Sequence, residues 1–78
     1  MIEKKLSELR IGETGKIINL DADVHIKRRL LELGLMDGQQ VKILSTSPLK
    51  NCFLIELKSY SLCLRKNILN CVEVESDL

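Results

Sequence analysis

A chain of 78 residues and 8.9 kDa has room for one domain, and at this length folding hides only about 60 to 65% of the surface exposed by the unfolded chain, which disfavours a deep catalytic cleft. Hydrophobic residues make up 45% and charged residues 29%, with one Pro and four Gly, the balance of a folded globular unit and not of a disordered tail. Twelve Lys and Arg against eleven Asp and Glu leave a formal charge of +1, too little for the broad basic field of nonspecific nucleic-acid binding.

No repeat or linker divides the chain, so residues 1–78 read as one unit with its core between about residues 6 and 75. Leu6 and Leu9 frame a short N-terminal turn. Gly12 and Gly15 then read as turn residues ahead of Lys16-Ile17-Ile18-Asn19-Leu20, a β-rich run that forms the first strand. Asp21 and Asp23 are both candidate N-caps for a helix from about Asp23 to Leu33. Gly34 suits the helix end because the position after the cap usually needs a positive φ, and Leu35 can then fold back on Leu30 or Leu31.

Asp37-Gly38 marks a turn, and Val41 and Ile43 alternate in the second strand. Ser45 to Asn51, holding Pro48, reads as a loop. Phe53, Ile55 and Leu57 alternate in a third strand, Tyr60, Leu62 and Leu64 in a fourth, and Val72 and Val74 in a fifth, with a helical turn in Lys66 to Asn70 before the last. Strands this short make a poor open sheet, since its edges would leave backbone groups unpaired, so the expected fold is mainly β: a small closed five-stranded barrel whose one main helix lies between the first two strands and covers an opening. Its interior should hold Ile18, Leu20, Val41, Ile43, Phe53, Ile55, Leu57, Leu62, Leu64, Val72 and Val74.

The helix offers two apolar sides, Ile26, Leu30 and Leu33 on one and Val24, Leu31 and Leu35 on the other, beside a polar arc of His25, Arg28, Arg29 and Glu32. Either the barrel and neighbouring loops bury both, or one is left for a partner. Under the second reading Arg28 and Arg29 steer and Leu31 and Leu35 anchor, the combination of apolar anchors and polar rim usual at docking sites.

Other motifs fare worse. Ile11-Gly12-Glu13-Thr14-Gly15-Lys16-Ile17-Ile18 matches the I-G-x-x-G-x-x-I pattern of KH domains, but a β-branched strand follows the second Gly and Glu13 would repel phosphate. A phosphate-binding loop of the Walker type needs Gly where Arg10 stands and Ser or Thr where Ile17 stands. Cys52, Cys63 and Cys71 are an odd number with no C-x-x-C pair, so neither a disulfide framework nor a zinc knuckle is suggested, and reduced thiols fit best. They take the phase opposite the expected core, so with His25 they form a metal site only if neighbouring strands align them; the expectation is no metal and no cofactor. No Ser or Cys has a base and orienting acid near it in sequence, so no enzyme is expected. The longest apolar run, Cys52 to Ile55, is far short of a bilayer span and Met1 to Arg10 lacks a signal-peptide core, so the expected location is cytoplasmic without direct membrane insertion.

From about Leu6 to Val74 the chain resembles the ferrous iron transport protein A family, FeoA. The likeness is carried by Leu6-Ser7-Glu8-Leu9, Gly12-Glu13-Thr14-Gly15-Lys16-Ile17, Arg28-Arg29-Leu30-Leu31-Glu32-Leu33-Gly34-Leu35 with Gly38, Pro48-Leu49, and Leu62-Cys63-Leu64-Arg65-Lys66. The resemblance implies an SH3-like barrel and a cytoplasmic module that supports or regulates a membrane ferrous iron transporter of the FeoB kind by docking on its cytosolic, G-domain-containing part. In the family the segment after Pro-Leu commonly continues with Gly and another turn residue, whereas Lys50, Asn51 and Cys52 stand here, leaving that loop's shape open. The alternatives are a small-barrel nucleic-acid binder, for which Phe53 and Tyr60 are the only aromatics, and an iron-binding or iron-sensing protein using the three cysteines and His25.

Overall fold

In a computed structural model describing residues 2–76, six antiparallel strands run in the order β1-β6-β2-β3-β4-β5. They are β1 (Ile2–Lys5), β2 (Thr14–Leu20), β3 (Gln40–Thr46), β4 (Cys52–Glu56), β5 (Ser61–Arg65) and β6 (Val72–Ser76). A 3-10 turn (Leu6–Glu8) follows β1, helix α1 (Val24–Glu32) joins β2 to β3, and the short α2 (Lys66–Leu69) joins β5 to β6. The strand count therefore exceeds the expected five by one, because Ile2–Lys5 adds itself to β6. Glu3, Lys4 and Lys5 carry no apolar alternation, and their pairing with Glu75, Val74 and Glu73 is a backbone event at a sheet edge that side-chain periodicity does not announce.

The sheet curls around one core. Val41 and Ile43 of β3, Phe53 and Ile55 of β4, and Val72 and Val74 of β6 are all buried, as expected. At the two ends of the ladder no further strand pair among the described residues closes the ring. Instead the 3-10 turn and α2 pack on each other, α2 also touches β5, and Leu6 and Leu69 are wholly buried there. The Ser7 hydroxyl donates to Asn70 Oδ1, and Lys5 Nζ donates to the Asn70 carbonyl at 3.1 Å.

One core residue is corrected. Ile18, expected inside, is only half-buried, and Ile17 takes its place at 1% exposure. The register of β2 on β6 shifts between Ile17 and Asn19, and this bulge lets an odd-numbered and an even-numbered residue, Ile17 and Leu20, both face the core. Leu62 and Leu64 pack against the core but stay half-buried, because β5 is an end strand. Tyr60 lies outside β5 and is exposed.

The glycines differ in what they do. Gly12 (φ +88) sits at the third position of a turn closed by Glu13 N–H on the Arg10 carbonyl at 2.9 Å, where a positive φ is required. Gly15 is not a turn residue, contrary to expectation. It lies inside β2, buried, where an added Cβ would sit 2.9 Å from Val74 Cγ2 and 3.1 Å from Leu9 Cδ1. Its role is close approach of β2 to its neighbours. The Pro48 loop is tied by Ser47: its Oγ accepts from the Asn51 and Cys52 amides at 3.2 Å and donates to Asn51 Oδ1 at 2.7 Å. Lys50 takes φ 57 there, so a lysine occupies the left-handed conformation that a glycine would fill without steric cost.

Glu13 binds the first and last strands together. Its Oε1 accepts from the Arg10 amide at 2.9 Å, and its Oε2 accepts from the Ser76 hydroxyl at 2.5 Å and from Lys4 Nζ at 3.2 Å. The side chain is nearly closed to solvent. The Arg10 amide most of all, then the Ser76 hydroxyl and the Lys4 ammonium, lower its pKa from 4.5 to about 2, against an opposing effect of burial.

Two predictions follow from this packing. Glu13→Gln should cost about 1 to 3 kcal/mol at neutral pH in urea unfolding. Because the carboxyl titrates lower when folded than when unfolded, its contribution is complete above the unfolded value of 4.5 and disappears as pH falls towards 2. The gap in stability between the native chain and E13Q should therefore narrow across that window, and a constant gap would contradict the assignment. Gly15→Ala should destabilise by about 1 to 3 kcal/mol through overpacking, and in a double-mutant cycle with Val74→Ala the combined cost should be less than the sum of the two single costs.

Candidate functional site

Helix α1 is specified at both ends. Asp23 Oδ1 accepts from the Ile26 amide at 2.9 Å, so Asp23 and not Asp21 is the cap. At the other end Gly34 (φ +96) sends its N–H to the Leu31 carbonyl at 3.0 Å, while Leu35 sends its N–H to the Leu30 carbonyl at 2.9 Å, the paired bonds of a Schellman motif. This turn swings Leu35 into the core, where it is wholly buried. Burial of a leucine side chain is worth about 1.5 to 3 kcal/mol, and the side chain is closed to any partner. Leu35 as an apolar docking anchor is thus corrected to a core residue that fastens the helix end.

The remaining predicted residues stay at the surface. Arg28 and Arg29 are exposed, and Leu31 is 44% exposed. Leu30 is buried, and Ile26 and Leu33 pack against the core. Of the two apolar sides, then, the barrel buries the one containing Ile26, Leu30 and Leu33 and leaves Leu31 and Val24, at 65% exposure, uncovered. Val24, which helical spacing puts on the same side as Leu31, belongs with it as an available apolar contact.

His25, Lys27, Arg28 and Arg29 are all exposed on the same helix, against a single acid within it, Glu32. His25, Ile26, Arg28, Arg29 and Glu32 line a shallow depression. The first turn holds no acidic residue, although acids there would favour the helix dipole and cations oppose it. Arg29, in the last turn, suits the helix dipole, whereas His25 and Lys27 nearer the N-terminal end gain nothing from it.

Tyr60 has a role that strand alternation concealed. Its hydroxyl donates to the Leu33 carbonyl at the end of α1, and a Cβ on Gly34 would come within 2.0 Å of that hydroxyl oxygen. The single tyrosine thus locks the helix to the β4–β5 hairpin, and its pairing with a glycine is a contact that only the fold reveals.

The cysteines stand apart from this face. Cys63 is exposed, Cys52 and Cys71 are half-buried, and all three are free thiols. Among the described residues no group of three or more His, Cys, Asp and Glu side chains is placed to hold a metal ion. A surface cleft runs past Thr14, Gln40, Lys42, Glu56 and Lys58, and its lining has no Cys, His or Ser that could serve as an activated nucleophile.

A curled six-stranded sheet with a tethered helix defines a small domain of the SH3-like class. The FeoA domain model matches residues 4–76, and the chain belongs to that family. It is 30% identical over 69 residues to a putative Fe(2+) transport protein A of Campylobacter jejuni, covering 88% of this chain and 93% of that protein. It is 27% identical over 71 residues to a Fe(2+) transport protein A/Fe(2+) transporter FeoB fusion protein of Porphyromonas gingivalis, a match that takes in 91% of this chain but spans only 8% of the fusion's length. Among solved structures, an FeoA-like protein of Clostridium acetobutylicum superposes with a TM-score of 0.90 at 26% identity over 100% of this chain and 91% of that one. Stenotrophomonas maltophilia FeoA, crystallised with zinc and described as a prokaryotic SH3 domain protein, gives 0.78 at 26% identity over 92% and 89%. A manganese-dependent transcriptional repressor shares the fold over 41% of its own length, at 20% identity. The family is associated with ferrous iron transport. No helix among the described residues is long and apolar enough to cross a membrane.

Tyr60→Phe tests the helix lock. Loss of one hydrogen bond should lower global stability by about 0.5 to 1.5 kcal/mol, and amide exchange should accelerate most in the last turn of α1. Uniform acceleration across the sheet would argue against a local tether.

Proposed function

We propose that this chain is a non-enzymatic accessory module that supports or regulates ferrous iron uptake by docking, through the outer face of α1, on the cytoplasmic G-domain-containing part of a FeoB-like ferrous iron transporter. The observation that carries this reading is the relative in which a matching segment is fused to the transporter itself. Covalent linkage holds two modules at an effective concentration in the millimolar range, an arrangement useful when they meet in the same assembly. Arg28 and Arg29 steer towards an acidic surface, and Leu31 supplies the apolar contact at the centre. Docking of this kind biases the transporter only to the extent that the module binds one of its nucleotide states better than another. The module works in the cytoplasm and carries no chemistry of its own.

A nucleic-acid reading has little to rest on, because Phe53 is buried and the Tyr60 hydroxyl is committed to α1, so no aromatic platform for stacking bases is formed.

Titration of isotopically labelled protein with the transporter's isolated G domain should shift resonances of α1 first. Arg28→Glu with Arg29→Glu should weaken binding about tenfold or more and flatten its salt dependence, and Leu31→Ser, which leaves the charge unchanged, should weaken it without changing the salt dependence. Saturating G domain that leaves every α1 resonance in place would overturn this reading.

A further inference from the structure

The last strand of the ladder, β5, pairs on one side only, with β4. Two backbone bonds outside the ladder fix its alternation: Leu57 N–H to the Tyr60 carbonyl at 2.7 Å and Lys66 N–H to the Asn51 carbonyl at 2.8 Å. Stepping by two between them, Leu62 and Leu64 exchange their bonds with Ile55 and Phe53, so Ser61, Cys63 and Arg65 aim their N–H and C=O groups at the open edge. No other element of the described structure bonds the backbone of Ser61 or Cys63. The opposite edge, β1, is guarded by Glu3, Lys4 and Lys5, but Ser61 to Leu64 carry no charge. An unguarded edge is a template for another strand.

We propose that the β5 edge pairs antiparallel with β5 of a second copy of this chain, centred on Cys63, to give one sheet continuous across the two copies. The side chains favour this occupant on both faces. In that register Cys63 meets Cys63, Ser61 meets Arg65 and Leu62 meets Leu64. On the inner face Leu62 and Leu64, half-buried in one copy, gain apolar neighbours, completing rows Ile55, Leu62, Leu64, Phe53 across four strands. On the outer face Glu56 stands opposite Ser61 within one copy. Arg65 of the second copy falls next in that row, about 10 Å from Glu56 across two strand spacings, and the small serine between them leaves the path clear. Within a single copy Arg65 is opposite Cys52 and lies about 13 Å along the strand from Glu56's partner. Neither Arg65 nor Glu56 forms an ion pair among the described residues. The two-fold symmetry creates two such Arg65 and Glu56 pairs, one on each side of Cys63. A single short strand pair buries far less than the roughly 1,000 Å² of a stable interface, so the association is weak and reversible.

The pairing can be trapped. Residues exchanging both backbone bonds have Cα atoms about 5.5 Å apart, inside the range of about 4.4 to 6.8 Å for a disulfide. With diamide as oxidant, two thiols yield one disulfide and pass two electrons and two protons to the diamide. The full chain should give a covalent dimer that Cys63→Ser abolishes and that Cys52→Ser and Cys71→Ser leave intact. R65E should slow its formation about tenfold, and E56R/R65E should restore it, since each exchanged charge faces its counterpart on the other copy. Circular dichroism checks that each variant is folded. No covalent dimer, a dimer formed equally without Cys63, or failure of the charge exchange to restore the rate in folded protein would each overturn the proposal.

Discussion

A solvent-shielded carboxylate joins parts of this protein that are far apart in sequence. Glu13 takes one bond from its own turn, one from β1 and one from the end of β6. Among the described residues no strand pair closes the ends of the sheet, so polar bonds that are costly to leave unmade add to the β1–β6 ladder in holding this side. With β1 held on β6, the 3-10 turn that follows is positioned against α2, and Leu6 and Leu69 can fill the gap at the seam. The apolar core supplies most of the driving force, but this carboxylate decides where the N-terminal segment sits.

The second constraint concerns α1. The helix leans on the barrel through one apolar side and is held at its end by two independent devices, the Schellman turn that buries Leu35 and the Tyr60 hydroxyl on the Leu33 carbonyl. Both act at the C-terminal end, so the orientation of the whole helix is fixed from there. A recognition surface gains from such rigidity because little conformational entropy is lost when a partner binds. Arg28, Arg29 and Leu31 are thus presented on a fixed support, not on a loop.

Much of this was legible in the residues themselves. Alternation located five of the six strands, and Asp23 and Gly34 marked the helix limits, because caps and buried faces follow local rules. What stayed hidden was non-local. β1 has polar side chains and exists because β6 offers it an unpaired edge. The bulge in β2 exchanged Ile18 for Ile17, since one inserted residue reverses the phase that alternation assumes. Gly15 looked like punctuation in a Gly-rich stretch, and only the nearness of Val74 shows that lack of a side chain is its use. In the candidate site the arginines and Leu31 could be picked out from helical spacing, whereas the burial of Leu35 and the engagement of Tyr60 depend on contacts across the fold. Lys50 marks a related limit: the departure from the family's glycine was visible, but the left-handed backbone beneath it was not.

The pairing of Ile2 with Ser76 places the first and last described residues side by side on neighbouring strands, about 5 Å apart. A unit whose entry and exit points nearly coincide can be spliced into a surface loop of a host protein, or have its order of segments circularly rearranged, with little distortion of either part. Its geometry makes it portable between polypeptides, since a connection at that one corner leaves the outer side of α1 and the β5 rim unencumbered.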